Sequence, residues 1–160
     1  MLFKKKIFIV MSVLFTIPII ANNEIIHSAM NFPMQHVVNR YKKDYKVSDD
    51  LAKKHEIELK RYLILCSLYS DSLPMLSGEV DNLWHTFILF TKDYEAFCKC
   101  VAHKYLHHVP FTEEEKLQND VASAYNEFVH KYLAVFHQVP SDKIWNINKD
   151  NNSALCAQQI

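Results

Sequence analysis

The chain has 160 residues, carries no formal net charge and is 49% hydrophobic, with 12% aromatic residues. That apolar content excludes a chain disordered over its whole length, and the even balance of 18 basic and 18 acidic residues argues against nucleic acid as a main partner. The length suits one domain, and the single glycine leaves little material for tight hairpins, so the composition favours helices.

The first 21 residues have the pattern of a secretory signal peptide. Three lysines at positions 4–6 precede an apolar run over residues 7–20, and Ala21 is a small residue at the cleavage point. The run is shorter than the roughly 20 residues of a membrane span. We therefore predict an exported protein, periplasmic or secreted, with residues 1–21 as the signal peptide. The alternative is an uncleaved anchor, because Ile19 stands where a small residue is usual, and membrane contact is expected only in that case.

Export changes how the four cysteines are interpreted, because disulfides persist in an oxidising compartment. Cys98 and Cys100 are two residues apart, so a helix directs them to different sides and a bridge between them is not expected. A bridge from Cys156 to Cys66 or to Cys100 stays open, because spacing alone does not determine connectivity.

The first part of the exported chain, residues 22–47, is predicted to be a loose lead-in followed by a helix over about residues 33–45. A helical core domain is predicted over residues 48–147. Its first helix starts at residues 48–50, where a serine cap precedes two acidic residues. His55 lies on the apolar stripe of that helix and is interpreted as a buried, hydrogen-bonded histidine rather than a ligand.

Three further helices are predicted in the rest of the core. Ser77 can cap a helix whose apolar stripe covers residues 80–88, and a second stripe runs over residues 94–105. A capping box at residues 112–115 starts a long amphipathic helix that Pro140 ends.

The residues after Pro140 show no clear helical periodicity. A short turn is predicted to place Trp145 at the edge of the core, and the polar residues 148–160 are predicted to form a flexible tail. No segment shows convincing alternation of apolar and polar residues. The predicted fold is all-α, a single-domain bundle of about five helices.

Side chains that can bind a metal are concentrated in the middle of the chain. Asp81 and His85 are spaced i, i+4, so they share one face of a helix. Cys98 lies on the next predicted helix, and His107 and His108 follow it. Because zinc is usually held by four nitrogen, sulfur or oxygen ligands, we predict a site from Asp81, His85, Cys98 and one of His107 or His108. The spacing matches no standard zinc motif.

Two other interpretations of these residues stay open. In the structural one, Asp81 accepts a hydrogen bond from a capping amide or the Trp84 indole, His85 bonds a backbone carbonyl, and no metal binds. In the catalytic one, Cys98 pairs with His85 or His107 as a nucleophile, although a position in mid-helix does not lower the pKa of a thiol.

The motifs V-D-x-x-W-H, Y-x-x-F-C and L-H-H-x-P, which start at Val80, Tyr94 and Leu106, resemble those of the glycine-rich domain-containing protein-like family, in its short bacterial form. The resemblance covers about residues 51–145 and implies no reaction. It implies special status for Asp81, Trp84, His85, Cys98 and His108. It also implies a structural core for the motif, made of Trp84, Tyr94, Phe97, Pro110 and Trp145. The chain departs from the family pattern at residues 103–104 and at His137, where a glycine is usual.

The leading hypothesis is a small exported helical protein that acts as a binding module, carries the predicted metal site and has no catalysis of its own. Zinc is the candidate cofactor, and no other is predicted. One alternative is a metal-dependent hydrolase with three protein ligands, a water and either Asp81 or Glu79 as base. The other is a structural or adaptor domain with a buried His/Cys/Asp network. A protein partner fits the first hypothesis, but the sequence identifies neither a partner nor catalytic residues.

Overall fold

The computed structural model describes residues 23–69, 73–112, 120–145 and 156–159, which are mostly helical. The helical segments are α1 (residues 23–30), α2 (Gln35–Tyr45), α3 (Asp49–Leu68), α4 (Gly78–Leu89), α5 (Thr91–Val101), α6 (Val121–Phe136) and α7 (Asp142–Trp145). The all-α prediction is confirmed, whereas a bundle of about five helices is not, because these ranges hold seven helical segments.

The region before the helical core is more ordered in structure than predicted. Residues 23–30, assigned from sequence to a loose lead-in, are helical. Ala29 and Met34 at the end of this region are buried in the core. Burial of those apolar side chains stabilises a segment that has no strong helical pattern of its own. The predicted signal peptide at residues 1–21 lies outside the described ranges.

Capping side chains fix where the central helices begin. The hydroxyl oxygen of Ser48 accepts from the backbone N–H of Leu51, and that of Ser77 accepts from Val80. Both serines were expected as caps, since their oxygens satisfy backbone donors that the first turn leaves unpaired. The predicted capping box at residues 112–115 lies largely outside the described ranges.

Three short strands form a small antiparallel sheet that the sequence does not predict. They are β1 (Pro74–Met75), β2 (His107–Pro110) and β3 (Cys156–Gln159). β3 lies between the other two, and His108 is opposite Gln158. Part of the segment assigned to a flexible tail therefore pairs with the histidine-bearing strand. Strands of two to four residues are too short to show a clear alternation of side chains.

Helix α3 is the centre of the packing and contacts α2, α4 and α6. Four of the five residues expected as the structural core of the central motif are fully buried, namely Trp84, Tyr94, Phe97 and Trp145. The fifth, Pro110, is exposed at the end of β2. A proline suits that position because its missing N–H removes a donor from the end of a strand.

A buried carboxylate connects α3 to the two last helices. Glu58 is 5% exposed and accepts hydrogen bonds from the Tyr132 hydroxyl at 3.0 Å and the Trp145 indole N–H at 2.7 Å. The guanidinium of Arg61 lies 2.8 Å from the same carboxylate. Three donors therefore share one acidic group, which offsets the cost of burying its charge.

His55 is buried and hydrogen-bonded, as predicted. Its Nδ1 atom lies 2.9 Å from the hydroxyl of Tyr41, which in turn donates to the backbone carbonyl of Glu79 at 3.2 Å. Burial lowers the pKa of His55 below its usual 6.5, although the charge of Glu79 partly opposes this. The folded protein therefore favours the neutral imidazole.

We expect His55 to make the protein less stable in acid. The unfolded chain binds a proton at this residue more readily than the folded chain, so the stability that His55 contributes is fully present above its unfolded pKa and is lost as the pH falls below it. Urea unfolding between about pH 8 and about pH 5 measures this loss, with His55→Gln as the control. Equal loss of stability in the two proteins would contradict the prediction.

The three described thiols, those of Cys66, Cys98 and Cys100, are free. The side chain of Cys156, to which two of the open disulfide pairings were assigned, lies outside the described part. Among the described residues no helix combines the length and the apolar character that a membrane span requires.

Candidate metal centre

Helix α4 carries two members of the site on one face. Asp81 lies in its first turn, where a carboxylate is favoured by the helix dipole, and His85 follows one turn later. The Asp81 side chain is 9% exposed and that of His85 is 47% exposed, with 3.7 Å between Oδ2 and Nε2. Asp81 is therefore at the buried end of the pair, and His85 is at the protein surface.

His108 on β2 completes the cluster. Its Nε2 atom lies 2.9 Å from Oδ1 of Asp81, and its side chain is 6% exposed. The ring packs against Trp84 and His85, with centroid distances of 4.4 Å and 4.5 Å. One ligand atom from each of Asp81, His85 and His108 lies within 4.8 Å of the other two.

A chain of hydrogen bonds ties β2 to the helices that carry the cluster. The indole N–H of Trp84 donates to the hydroxyl of Tyr94 at 3.1 Å, and that hydroxyl donates to the backbone carbonyl of Leu106. Burial raises the pKa of Tyr94 far above its ordinary value, so the hydroxyl keeps its proton. Trp84 thus bonds Tyr94 rather than Asp81, which differs from the structural interpretation of the sequence. This network fixes the start of the strand that bears His108.

Cys98 lies outside the cluster, although it was predicted as a ligand. The residue is 1% exposed, and burial raises the pKa of its thiol. The thiol lies instead beside the Tyr94 hydroxyl and the backbone of Leu106. A raised pKa also disfavours the thiolate that the alternative nucleophilic role requires.

His107 is exposed on β2, and its ring packs against that of Tyr105 at 4.9 Å. Neighbouring side chains on a strand point in opposite directions, and of the two adjacent histidines only His108 belongs to the cluster.

The Asp81 carboxylate approaches the two histidines through different oxygens. Its Oδ1 atom lies 2.9 Å from Nε2 of His108, and its Oδ2 atom lies 3.7 Å from Nε2 of His85. Ligand atoms at about 2.0–2.2 Å from a tetrahedral zinc lie about 3.3–3.6 Å from one another, so small shifts of these side chains would be needed to hold one ion. An exposed His85 side chain can adjust its rotamer to complete the set.

The cluster opens onto a groove. His85 and His108 both line a cavity of about 770 Å³, together with His107 and other residues of α2, α4 and β2. The groove therefore borders two of the three residues of the cluster. The sequence carries no signal for this groove, because it forms where four separate segments meet, namely α2, α4, α5 and the residues from Tyr105 to Pro110.

About two thirds of the chain matches a known protein family. A family model described as UCP032817-like matches residues 21–126. The match includes the whole cluster, begins at the residue predicted to precede signal cleavage and ends within α6. No curated protein and no solved structure matches the chain.

The family match corrects the resemblance inferred from sequence. The glycine-rich domain-containing protein-like family is not the one that the match shows, so that assignment is wrong. The assignment relied on three short motifs whose aromatic residues are largely buried. Buried Trp, Tyr and Phe at helical spacing serve packing in many unrelated helical proteins, so they identify a family poorly.

Proposed function

We propose that this chain, which belongs to the UCP032817-like family, binds one zinc ion through Asp81, His85 and His108. The observation that carries the proposal is the convergence of three ligand atoms within 4.8 Å, from a helix and a strand that are distant in sequence. Two imidazoles and a carboxylate match the three-ligand sets of open zinc sites, in which the fourth position takes water or a ligand.

The proposed role is that of an exported binding module that holds a ligand at the free position. The groove beside His85 and His108 supports this role, because it gives a ligand a path to the ion. The buried Asp81 would neutralise part of the charge of the ion. Trp84, whose ring packs against His108, and Tyr94, which bonds the backbone carbonyl of Leu106, would hold His108 in place.

Elemental analysis tests the metal site directly. The untagged full chain, purified without chelator, should contain about one zinc per molecule after incubation with zinc and removal of the excess. A folded chain without bound zinc would contradict the proposal and favour a cluster that only forms hydrogen bonds. Copper and cobalt are useful competitors, since affinity alone does not select zinc.

A second candidate is a metal-dependent hydrolase, and the three-ligand arrangement beside a groove favours it. Asp81 is a poor candidate for the base because it would be bound to the ion. Glu79 faces Tyr41 and His55 instead, and its charge acts on both. His107, which lines the groove, is the better base. Ester turnover that His107→Ala abolishes without loss of zinc would favour the hydrolase, and zinc binding without turnover would favour the binding module.

Export remains part of the proposal. It is supported by the lysines at positions 4–6 and by the apolar run over residues 7–20. N-terminal sequencing of the protein recovered from the periplasm or the medium should begin at Asn22. Recovery of the protein only in the membrane fraction, with Met1 retained, would instead support the anchor.

A further inference from the structure

Large apolar side chains are exposed around the groove beside the cluster. Leu89 is 71% exposed, Tyr45 is 43% exposed and Tyr105 is 42% exposed, and all three line this groove. They are half of the large hydrophobic residues that the described ranges expose, although they come from three different segments. Exposed apolar groups gathered at a cavity indicate a binding surface, because leaving them in water lowers stability.

The two tyrosine rings are held in position by their neighbours. The ring of Tyr105 packs against Tyr94 at 5.3 Å and His107 at 4.9 Å, and the ring of Tyr45 packs against Tyr41 at 5.2 Å. A ligand that contacts them therefore meets a surface that is already formed. Little ordering entropy is lost when it binds, which favours affinity.

The charged residues near the groove favour a ligand that is uncharged except for the group that binds the ion. Asp44 lines the groove, and its carboxylate is already paired with Arg40 at 2.5 Å. No lysine or arginine is among the described residues that line the groove. Away from the ion, an additional negative group on the ligand would find no cationic partner on this surface.

We propose that the groove binds the aromatic or branched apolar body of a small acid or acyl compound, whose oxygen donor occupies the free coordination position of the ion. This inference rests on the proposed zinc site of Asp81, His85 and His108. The ion attracts the oxygen donor, and the side chains of Tyr45, Leu89 and Tyr105 remove the apolar body from water. Both contacts are made at once because His85 and His108 line the same groove.

Two hydroxamic acids test this ligand class. Benzohydroxamic and acetohydroxamic acid bind zinc through the same two oxygens, so either probe would bring an ion with three protein ligands to five-coordination. They differ in carrying a phenyl ring or a methyl group. Calorimetric titration of the zinc-loaded full chain should show tighter binding of the phenyl compound by about 10-fold, since more apolar surface is buried. Titration of both probes with free zinc corrects for their intrinsic affinity.

Variants identify the groove as the source of the preference. Leu89→Ser should reduce the preference for the phenyl compound by about 3-fold or more, with the affinities for zinc and acetohydroxamic acid unchanged. Leu51→Ser is the matched control, because Leu51 is also exposed, at 48%, and is not among the residues that line the groove. It should leave the preference intact.

The outcomes separate the two proposals. Zinc binding with equal affinity for both probes, or a preference that Leu89→Ser leaves unchanged, would overturn the inference about the groove and leave the zinc site standing. A folded chain that binds no zinc would overturn the zinc site and the inference that rests on it. A preference that is lost in Leu89→Ser and kept in Leu51→Ser supports both.

Discussion

Replacing His108 with alanine should lower the zinc affinity of the chain by more than about 100-fold. Loss of an outer-shell partner of a metal ligand already costs 10- to 100-fold, and His108 is proposed as a ligand itself. Its Nε2 atom lies 2.9 Å from the carboxylate of Asp81, and the cluster found among the described residues has no fourth member to replace it. Competition with a chromogenic chelator measures the affinity.

The neighbouring histidine supplies the matched control. His107→Ala removes an imidazole from the same strand, but that ring is exposed and lies outside the cluster. Its zinc affinity should stay within about 3-fold of the wild type. Equal loss in both variants would contradict the assignment of His108.

A third variant separates metal binding from folding. His108→Ala also removes a buried partner of Asp81, so it can lower stability as well as zinc affinity. His85→Ala removes a ligand whose side chain is 47% exposed, with little effect on the core. If this variant bound zinc as tightly as the wild type, the three-residue site would be wrong.

Replacing Glu58 with alanine should lower the free energy of unfolding by about 3–5 kcal/mol. The change leaves the Arg61 guanidinium, the Tyr132 hydroxyl and the Trp145 indole N–H without their shared acceptor. Buried donors without an acceptor cost free energy, as does a cation without its carboxylate, although Arg61 still donates to the Tyr132 hydroxyl at 2.7 Å. The truncation also adds a cavity. Urea unfolding followed by tryptophan fluorescence measures the effect, because Trp145 reports on this region.

An exposed acidic residue on α5 serves as the comparison. Glu95 forms an ion pair with Lys99 at 2.7 Å, and both side chains are more than half exposed. Glu95→Ala should leave the free energy of unfolding nearly unchanged, since exposed ion pairs contribute little. A similar effect for Glu58→Ala would mean that the buried network adds nothing beyond a surface pair.

The part of the site that lies on α4 follows from sequence because it depends on local properties alone. The four-residue spacing of Asp81 and His85 places both on one face of any helix, and the cap at Ser77 fixes where that helix begins. The burial of His55 was predictable for the same reason, since its position on an apolar stripe is a local feature.

The rest of the proposed site does not follow from local pattern. Cys98 and one of His107 or His108 were expected beside Asp81 and His85, and which of the three joins the cluster depends on how β2 packs against α4. β2 is held by backbone pairing with β3, which comes much later in the chain. Backbone hydrogen bonds leave little trace in the order of side chains, so the sequence pattern could not select among the three.

The network of Glu58 was missed for a related reason. Its partners Tyr132 and Trp145 are separated from it by more than half of the helical core, and only folding brings them together. One signal was available, because Glu58 lies three residues after His55 and four before Tyr62, both of which are on the apolar stripe of α3. An acidic residue at such a position indicates a buried partner.

Anomalous diffraction at the zinc edge, from crystals of the zinc-loaded full chain, tests the central claim most directly. The expected result is one strong peak at about 2.0–2.2 Å from a carboxylate oxygen of Asp81 and from one ring nitrogen each of His85 and His108. The free side of that ion should face the groove. A zinc-loaded crystal with no peak at these residues, or with its peak at His107 or at a cysteine instead, would contradict the account.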